Sequence, residues 1–331
     1  MSDVRDRRVI QRRRLVLLAI VALPVARGTA AQALPSVLFI VPSAAGGSLD
    51  RVARVAAIAL DELLERRIEV INIPGAGGVT GTKAITSYKP DGNTLGLAVS
   101  VPMVSGKLLS PAATYHPVDD FEWLAILGTY PNAVVVSARR PERTLDELLA
   151  AARNATTPLL YGSFGVGTAG HLAGKFLRLE QQVKLEHVPL ERVDDGYERL
   201  ASGQIDFLFD GVPHAKEEAP RAGHSIVAVT SAARVPSLPD VPAFGERWPR
   251  ESFVVWVGIV APRGLPPDVY SPLAAAIGVM MLEPRHAQAL RATGLDYVGL
   301  NGAKAKSYVE AEIVRTARLM ARLGGEASRR P

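Results

Sequence analysis

The amino-acid sequence predicts an α/β protein with mainly parallel sheets, and three observations lead to this class. Short apolar runs of strand length alternate with longer segments whose apolar residues recur at helical spacing. Glycine-rich loops connect several of these strands to the helices that follow. The chain has 331 residues, of which 48% are hydrophobic and 21% charged, so it is long enough for two domains of ordinary size.

The first strand, loop and helix organise the chain. An apolar strand at 37–41 leads into a small-residue loop at 43–47, and a helix is expected to open at Ser48 or Asp50. Its apolar face consists of Val52, Val55, Ala56, Ala59, Leu60 and Leu63. Such a unit presents free backbone N–H groups and the positive end of a helix dipole to an anion. Gly46 and Gly47 leave bare backbone for a ligand to approach, although they could also simply make a tight turn.

A second apolar strand, at 68–73, runs into the glycine-rich segment 74–81. A dinucleotide-binding loop would need glycine at position 80, where this chain has Thr80. It would also need an acid at a strand end about 20 residues on, whereas Asp91 falls in a turn. No nucleotide cofactor is therefore expected.

Another glycine loop, at 161–172, is called the second loop below. It repeats the design of the first loop at 43–47, with a strand at 159–163 and a helix at 169–179. The two loops could face each other across a cleft and donate N–H groups from both sides. Helix capping is the alternative role for Ser163 and Thr168. For His171, packing within a helix face is favoured over ligand contact.

The remaining pattern supports the same class. Thr144 and Glu147 form a capping box for a helix at 145–153. Two separate apolar runs, 124–128 and 133–137, precede that helix. Three helices are expected to end the chain, at 266–282, 284–293 and 303–323.

The net positive charge of the chain comes from its N-terminus. The whole chain carries a net charge of +5, and residues 1–33 already hold seven arginines against two aspartates. The remainder is neutral, so no long-range field attracts a polyanion and no nucleic-acid partner is expected.

Residues 1–33 are typical of a secretory signal peptide. An arginine-rich start ends at Arg14, an apolar stretch covers 15–26, and Ala31-Gln32-Ala33 matches an A-x-A cleavage pattern. Twelve apolar residues are few for a bilayer span, which disfavours the alternative of an uncleaved anchor. Either the general secretory or the twin-arginine route is compatible with Arg12-Arg13-Arg14. We expect cleavage near Ala33 and a periplasmic protein.

Motifs for catalysis or metal binding are missing from the sequence. There is no cysteine, the six histidines are scattered, and neither H-E-x-x-H nor a phosphate-binding G-x-x-x-x-G-K-[ST] occurs. The segment 46–50 fails the G-x-S-x-G pattern at its last position, Asp50. No catalytic residue, metal or cofactor is predicted. An exported α/β enzyme would need a nucleophile–base pair that the sequence does not offer.

Eight motifs in order resemble one family, the Bug-type extracytoplasmic solute receptors of tripartite tricarboxylate transporters. They are Val41-Pro42 with Gly46-Gly47 and Asp50; Asn72-Ile73-Pro74-Gly75-Ala76-Gly77-Gly78 with Gly81; Pro90-Asp91-Gly92; Gly165-Val166-Gly167 with His171-Leu172; His187-Val188-Pro189; Gly203-Gln204-Ile205-Asp206 with Asp210; Leu238-Pro239-Asp240-Val241-Pro242; and Ala261-Pro262. The resemblance covers about 35–325.

The resemblance implies a two-domain, type II-like periplasmic-binding-protein (Venus flytrap) fold. Domain 1 would comprise 34–131 and 254–331, and domain 2 would comprise 132–253. The implied function is capture of a small carboxylate (a di- or tricarboxylate, an aromatic carboxylate or an amino acid) for delivery to two integral membrane subunits. A sensing receptor without transport is the alternative, and a monomer is expected.

The implied ligand-binding residues are Ser43, Ala44, Ala45, Gly46, Gly47, Asp50, Ser163, Gly165, Val166, Gly167, Thr168, His171 and Asp210. Ser43, Phe164 and the run 190–192 depart from the residues usual in the family, which leaves the ligand open. Asp50 is the only acid in either loop, so it either caps the helix or accepts a hydrogen bond from a ligand hydroxyl or ammonium.

Overall fold

The computed structural model describes residues 36–190 and 192–323, which form an α/β protein. The predicted signal peptide lies outside the described residues. The strands are β1 (Val37–Val41), β2 (Ile68–Asn72), β3 (Thr94–Val99), β4 (Phe121–Val136), β5 (Leu159–Ser163), β6 (Leu185–Pro189), β7 (Phe207–Gly211), β8 (Ser225–Val229), β9 (Val254–Pro262) and β10 (Asp296–Asn301).

Helices alternate with these strands. They are α1 (Ser48–Leu64), α2 (Val79–Ile85), α3 (Gly106–Leu109), α4 (Leu145–Asn154), α5 (Ala169–Glu180), α6 (Val193–Ser202), α7 (Val212–Arg221), α8 (Phe244–Arg247), α9 (Pro267–Leu282), α10 (Pro284–Ala292) and α11 (Gly302–Arg322). A π-helical turn, Val101–Ser105, leads from β3 into α3. None of the described helices combines the length and apolar character needed to cross a membrane.

The sheet has two halves that share β4. The first half has the order β2-β1-β3-β9-β4 with β10 also on β4, and the second has the order β6-β5-β7-β4 with β8 also on β4. The N-terminal part of β4 pairs with β9 from Phe121 to Pro131, and its C-terminal part pairs with β7 from Asn132 to Val136. One continuous strand therefore crosses from one half to the other.

The sheet is mixed, whereas the sequence predicted mainly parallel strands. In the described residues four strand pairings are parallel and five are antiparallel. The parallel pairs come from the βαβ units around β1 and β5. The antiparallel pairs all involve β4 or β9, which run against their neighbours.

Two further details differ from the sequence prediction. The runs 124–128 and 133–137 belong to the single strand β4, because pairing with β9 continues through Tyr130 and Pro131. The chain does not end in three uninterrupted helices, since β10 lies between α10 and α11 and pairs with β4. The capping box of α4 is confirmed, with Thr144 accepting from the Glu147 amide at 3.2 Å.

The apolar face of α1 fixes the direction of that helix. Val52, Ala56 and Leu60 are buried against the strands of the first half. Burial of side chains of Val or Leu size is worth about 1.5–3 kcal/mol each. This packing holds the N-terminus of α1 at the carboxyl end of β1, next to the first glycine loop.

Candidate functional site

The loop between β1 and α1 exposes backbone donors. Gly47 is the N-cap of α1, and no side chain caps that end of the helix. Within the described residues, the amides of Ala44, Ala45, Gly47 and Ser48 have no hydrogen-bond acceptor. A Cβ on Gly47 would meet nothing closer than the Ala44 carbonyl oxygen, at 3.9 Å. The loop thus offers several free N–H groups at the positive end of a 17-residue helix.

Asp50 lies behind this loop and is 3% exposed. Its Oδ2 accepts from the Gly46 amide and from Arg54 Nε, both at 2.9 Å, and its Oδ1 accepts from Asn72 Nδ2 at 2.9 Å. Burial alone would raise the pKa of this carboxyl, but the three donors and the Arg54 charge outweigh it and hold the pKa below its usual range. Asp50 binds the amide of the residue before the N-cap rather than capping α1 itself.

The loop between β5 and α5 has a similar design. Thr168 is the N-cap of α5 and accepts from the His171 amide at 3.2 Å, which confirms its capping role. The Gly165 and Thr168 amides donate to carbonyl groups within the loop. In this part of the described chain, the amides of Val166, Ala169 and Gly170 have no acceptor. Val166 is half exposed at the tip of the loop.

Histidines hold this second loop from inside. The Gly167 amide donates to His171 Nδ1 at 3.1 Å, so the neutral His171 ring carries its proton on Nε2. Burial, with a smaller contribution from Lys175, lowers the pKa of His171 to about 4. Ser163 Oγ lies 2.8 Å from His187 Nε2. His171 therefore packs and positions the loop, and Gly167 directs its N–H inward in this structure.

Each of the two loops lies beside residues of the other half of the sheet. A Cβ on Gly167 would lie 2.6 Å from Leu109 Cδ1 and 3.2 Å from Ser105 Cβ, just after β3. A Cβ on Gly211, at the end of β7, would lie 3.8 Å from Ser48 Oγ, in the first residue of α1 after the first loop. The carboxyl ends of strands from both halves therefore face each other, which is where ligands bind in open α/β sheets.

A small cavity lies where residues of both halves meet. A cavity of about 30 Å³ is lined in part by Ser100, Ser105, Gly167, Ala169 and Trp256. The Trp256 indole N–H is buried and has no acceptor among the residues that the structure describes. This volume admits a single water molecule. Neither the π-helical turn after β3 nor Trp256 was included in the site predicted from the sequence, because neither carries a glycine motif.

A larger groove of about 300 Å³ lies elsewhere, between the start of β4 and the start of α11. It is lined by Phe121, Arg263, Tyr270 and Lys306 among others and includes none of the predicted ligand-binding residues. Its rim mixes acids and bases, whereas the two glycine loops contain several amides without an acceptor among the described residues. We therefore place the candidate site at the loops.

Asp210, at the end of β7, is engaged within the second half. It is 3% exposed, and its Oδ2 accepts from Tyr197 Oη at 3.0 Å and lies 2.6 Å from His214 Nδ1. The hydrogen bond to Asp210 raises the pKa of His214, against the opposing effect of burial. Across the cleft, Arg51 on α1 forms an ion pair with Glu217 on α7 at 3.9 Å.

Comparison with known proteins decides the family. The model of the tripartite tricarboxylate transporter family receptor matches residues 52–324. The chain belongs to this family. The UPF0065 protein in the tcbD-tcbE intergenic region of Pseudomonas sp. strain P51 is 31% identical over 294 residues, which cover 87% of each chain.

Solved structures support the same assignment. Rpa4515 from R. palustris, solved with adipate, has a TM-score of 0.82 at 25% identity, covering 88% of this chain and 97% of its own. MatC from Rhodopseudomonas palustris, solved with bound malate, has a TM-score of 0.76 at 25% identity, covering 86% of this chain and 99% of its own. The periplasmic-binding-protein fold is thus confirmed. The proteins of the tripartite tricarboxylate transporter receptor family that this chain resembles are solute-binding receptors and not enzymes.

Proposed function

We propose that this receptor captures a small carboxylate between its two glycine loops and delivers it to a tripartite tricarboxylate transporter. The observation that carries the proposal is the set of amides at the N-termini of α1 and α5 that have no acceptor among the described residues. Such amides bind anions without a formal positive charge, because the helix dipole and the oriented N–H groups supply the field. The bound adipate and malate of the two solved relatives are anions of this class.

The proposed ligand-binding residues are those that donate backbone N–H groups from these loops or lie at the edges of the loops. Ser43, Ala44, Ala45, Gly46 and Gly47 belong to the first loop, and Ser163, Gly165, Val166, Gly167 and Thr168 belong to the second. His171 and Asp210 lie behind these groups with the contacts described above. Leu190, a departure from the usual family residue, is buried in the core of the second half, so it acts on the ligand only indirectly.

The proposed domains are 34–131 with 254–331 and 132–253, and the division of the sheet into two halves that share β4 supports this proposal. β4 crosses between them, and the segment joining β8 to β9 makes the return crossing. Export with cleavage near Ala33, two integral membrane partners, a monomeric state and a lack of enzymatic activity complete the proposal. Mass spectrometry of the exported protein reads the cleavage site directly.

A ligand screen tests the proposal. Thermal unfolding is followed with mono-, di- and tricarboxylates and amino acids, and hits are measured by calorimetry. A ligand at 100 times its Kd should stabilise the protein by about 2.7 kcal/mol. Chromatography after long incubation should recover the ligand unchanged, whereas turnover would establish the enzyme alternative. If no carboxylate shifts the melting temperature, the proposed ligand class is wrong.

A further inference from the structure

An acid next to a loop that is proposed to bind an anion needs a physical reason. Asp50 lies in the first turn of α1, within a few residues of the free amides, yet its carboxylate is almost fully buried. An isolated charge at such burial is costly, so it must be compensated by partners. An uncompensated carboxylate would also repel the ligand.

The compensation comes from Asn72 and Arg54, and we call Asp50, Asn72 and Arg54 the clasp. Arg54 donates from Nε to Asp50 Oδ2 at 2.9 Å and from Nη2 to Asn72 Oδ1 at 3.3 Å. Asn72 Nδ2 donates both to Asp50 Oδ1 at 2.9 Å and to the Ser43 carbonyl at 3.1 Å. The clasp therefore joins α1, the end of β2 and the start of the first loop.

These bonds fix the loop at two points. Asn72 holds the Ser43 carbonyl at the beginning of the loop, and Asp50 holds the Gly46 amide near its end. Gly46 has a φ of 84°, in the left-handed region, so a donor–acceptor pair here stabilises an unusual backbone turn. Between the two fixed points, the Ala44 and Ala45 amides have no acceptor in the described part of the chain.

The glycine run after β2 supports the loop from the same side. A Cβ on Gly81 would lie 2.8 Å from Pro42 Cα, and a Cβ on Gly78 would lie 3.0 Å from the Pro42 carbonyl oxygen. Pro42 begins the turn out of β1. Close packing against Pro42, and for Gly81 also against the Ile73 carbonyl oxygen, leaves no room for a side chain at these two positions. The segment from Asn72 to Gly81 serves as a platform for the first loop.

We propose that the clasp presets the first loop for its anion, and that Asp50 acts as a positioning residue that does not contact the ligand. Both oxygens of Asp50 already have donors, and Arg54 neutralises its charge. The inference rests on the proposed function only where it concerns affinity. The order of the loop in the ligand-free protein is a separate and directly measurable consequence.

The first measurement uses no ligand. Amide hydrogen exchange of the 43–49 region is compared in the wild type, Asn72→Ala and Asp50→Asn. The Gly46 amide should exchange about tenfold faster in both variants, equivalent to about 1.4 kcal/mol. Unchanged exchange in both variants overturns the clasp, even if the wild type binds no carboxylate and the proposed function has failed.

The second measurement uses calorimetry with whichever carboxylates bind the wild type. Both variants should bind plain, hydroxy- and amino-carboxylates more weakly by a common factor of about ten, because the substitutions disturb the order of the loop and remove no contact to the ligand. A selective loss for hydroxyl- or ammonium-bearing ligands in Asp50→Asn alone would show that Asp50 contacts the ligand, and would overturn the inference.

Asp206→Asn is the matched control. Asp206 accepts from Arg140 Nη1 at 2.6 Å and from the Leu160 amide at 2.7 Å, but it precedes β7 and is far along the chain from both loops. Its replacement should lower the melting temperature while leaving Kd within about twofold. An increase in Kd equal to that of Asn72→Ala would show that general destabilisation weakens binding, and would overturn positioning by the clasp.

A pH profile separates positioning from packing. Arg54 is the charged group acting on Asp50, and the neighbouring strands contribute Asn72 and the Ser43 carbonyl, which do not titrate. Asn72→Ala removes one donor, so the pKa of Asp50 should rise. The ratio of variant to wild-type Kd should then stay constant from pH 7 to about 5 and grow as pH falls further toward 3.8, the ordinary pKa of an aspartate. A ratio that stays constant over the whole range overturns the role given to the Asp50 charge.

Discussion

The titration of His171 provides a quantitative test of how the second glycine loop is held. His171 Nδ1 accepts the Gly167 amide, and a protonated ring cannot accept there because both of its nitrogens carry hydrogen. Burial and the nearby Lys175 lower the pKa of His171 to about 4 from an ordinary value of 6.5. Acid should therefore destabilise the protein through this residue.

The magnitude follows from the difference between the two pKa values. As pH falls below 6.5, the unfolded chain binds a proton at this histidine while the folded chain does not until about pH 4. The free energy of unfolding therefore decreases with falling pH throughout that window. At about 1.36 kcal/mol per pKa unit, the loss reaches roughly 3 kcal/mol by pH 4.

Urea unfolding at pH 7, 5.5 and 4 measures this loss in the wild type and in His171→Asn. The Asn Oδ1 can replace Nδ1 as the acceptor for Gly167 but does not titrate. The variant should lose about 3 kcal/mol less than the wild type between pH 7 and 4. His116→Asn, at a solvent-exposed position, controls for the removal of one histidine. Parallel profiles for His171→Asn and the wild type would refute the reasoning.

Two further predictions concern the ligand. Gly47→Val should abolish carboxylate binding, because a branched side chain blocks the free amides. The stability change should stay below about 1 kcal/mol, because Gly47 has an extended backbone (φ −77°, ψ 177°) and open space at Cβ. Calorimetry and thermal unfolding check this, and an unchanged affinity would move the site away from the first loop. Ligand should also favour the closed form of the proposed domains, so small-angle scattering at saturation should give a smaller radius of gyration than without ligand. An identical radius in both states would contradict a hinged receptor.

Local sequence determined the strand–loop–helix units and the cap positions. The helical spacing of Val52, Ala56 and Leu60 identified the buried face of α1, and the Thr144–Glu147 pair placed the start of α4. These features depend on residues within one or two turns of each other, so a single sequence reveals them. The glycine loops were found for the same reason, since bare backbone before a helix is a local property.

Tertiary structure alone decided the strand pairing. β4 extends through Tyr130 and Pro131 because β9, more than a hundred residues later, pairs along that segment. The sequence left 294–302 outside the flanking helices but did not identify a strand there, and β10 is a strand because it pairs with β4. Pairing between distant segments depends on register and burial that neighbouring residues do not encode.

The role of Asp50 was open at the sequence level for the same physical reason. Its position in the first turn of α1 was compatible with capping or with ligand contact, and both are local interpretations. The partners that engage it include Asn72, which is 22 residues away and reaches it only because β2 lies beside β1. A buried carboxylate is governed by the donors that the fold brings to it, and those donors are set by packing rather than by sequence proximity.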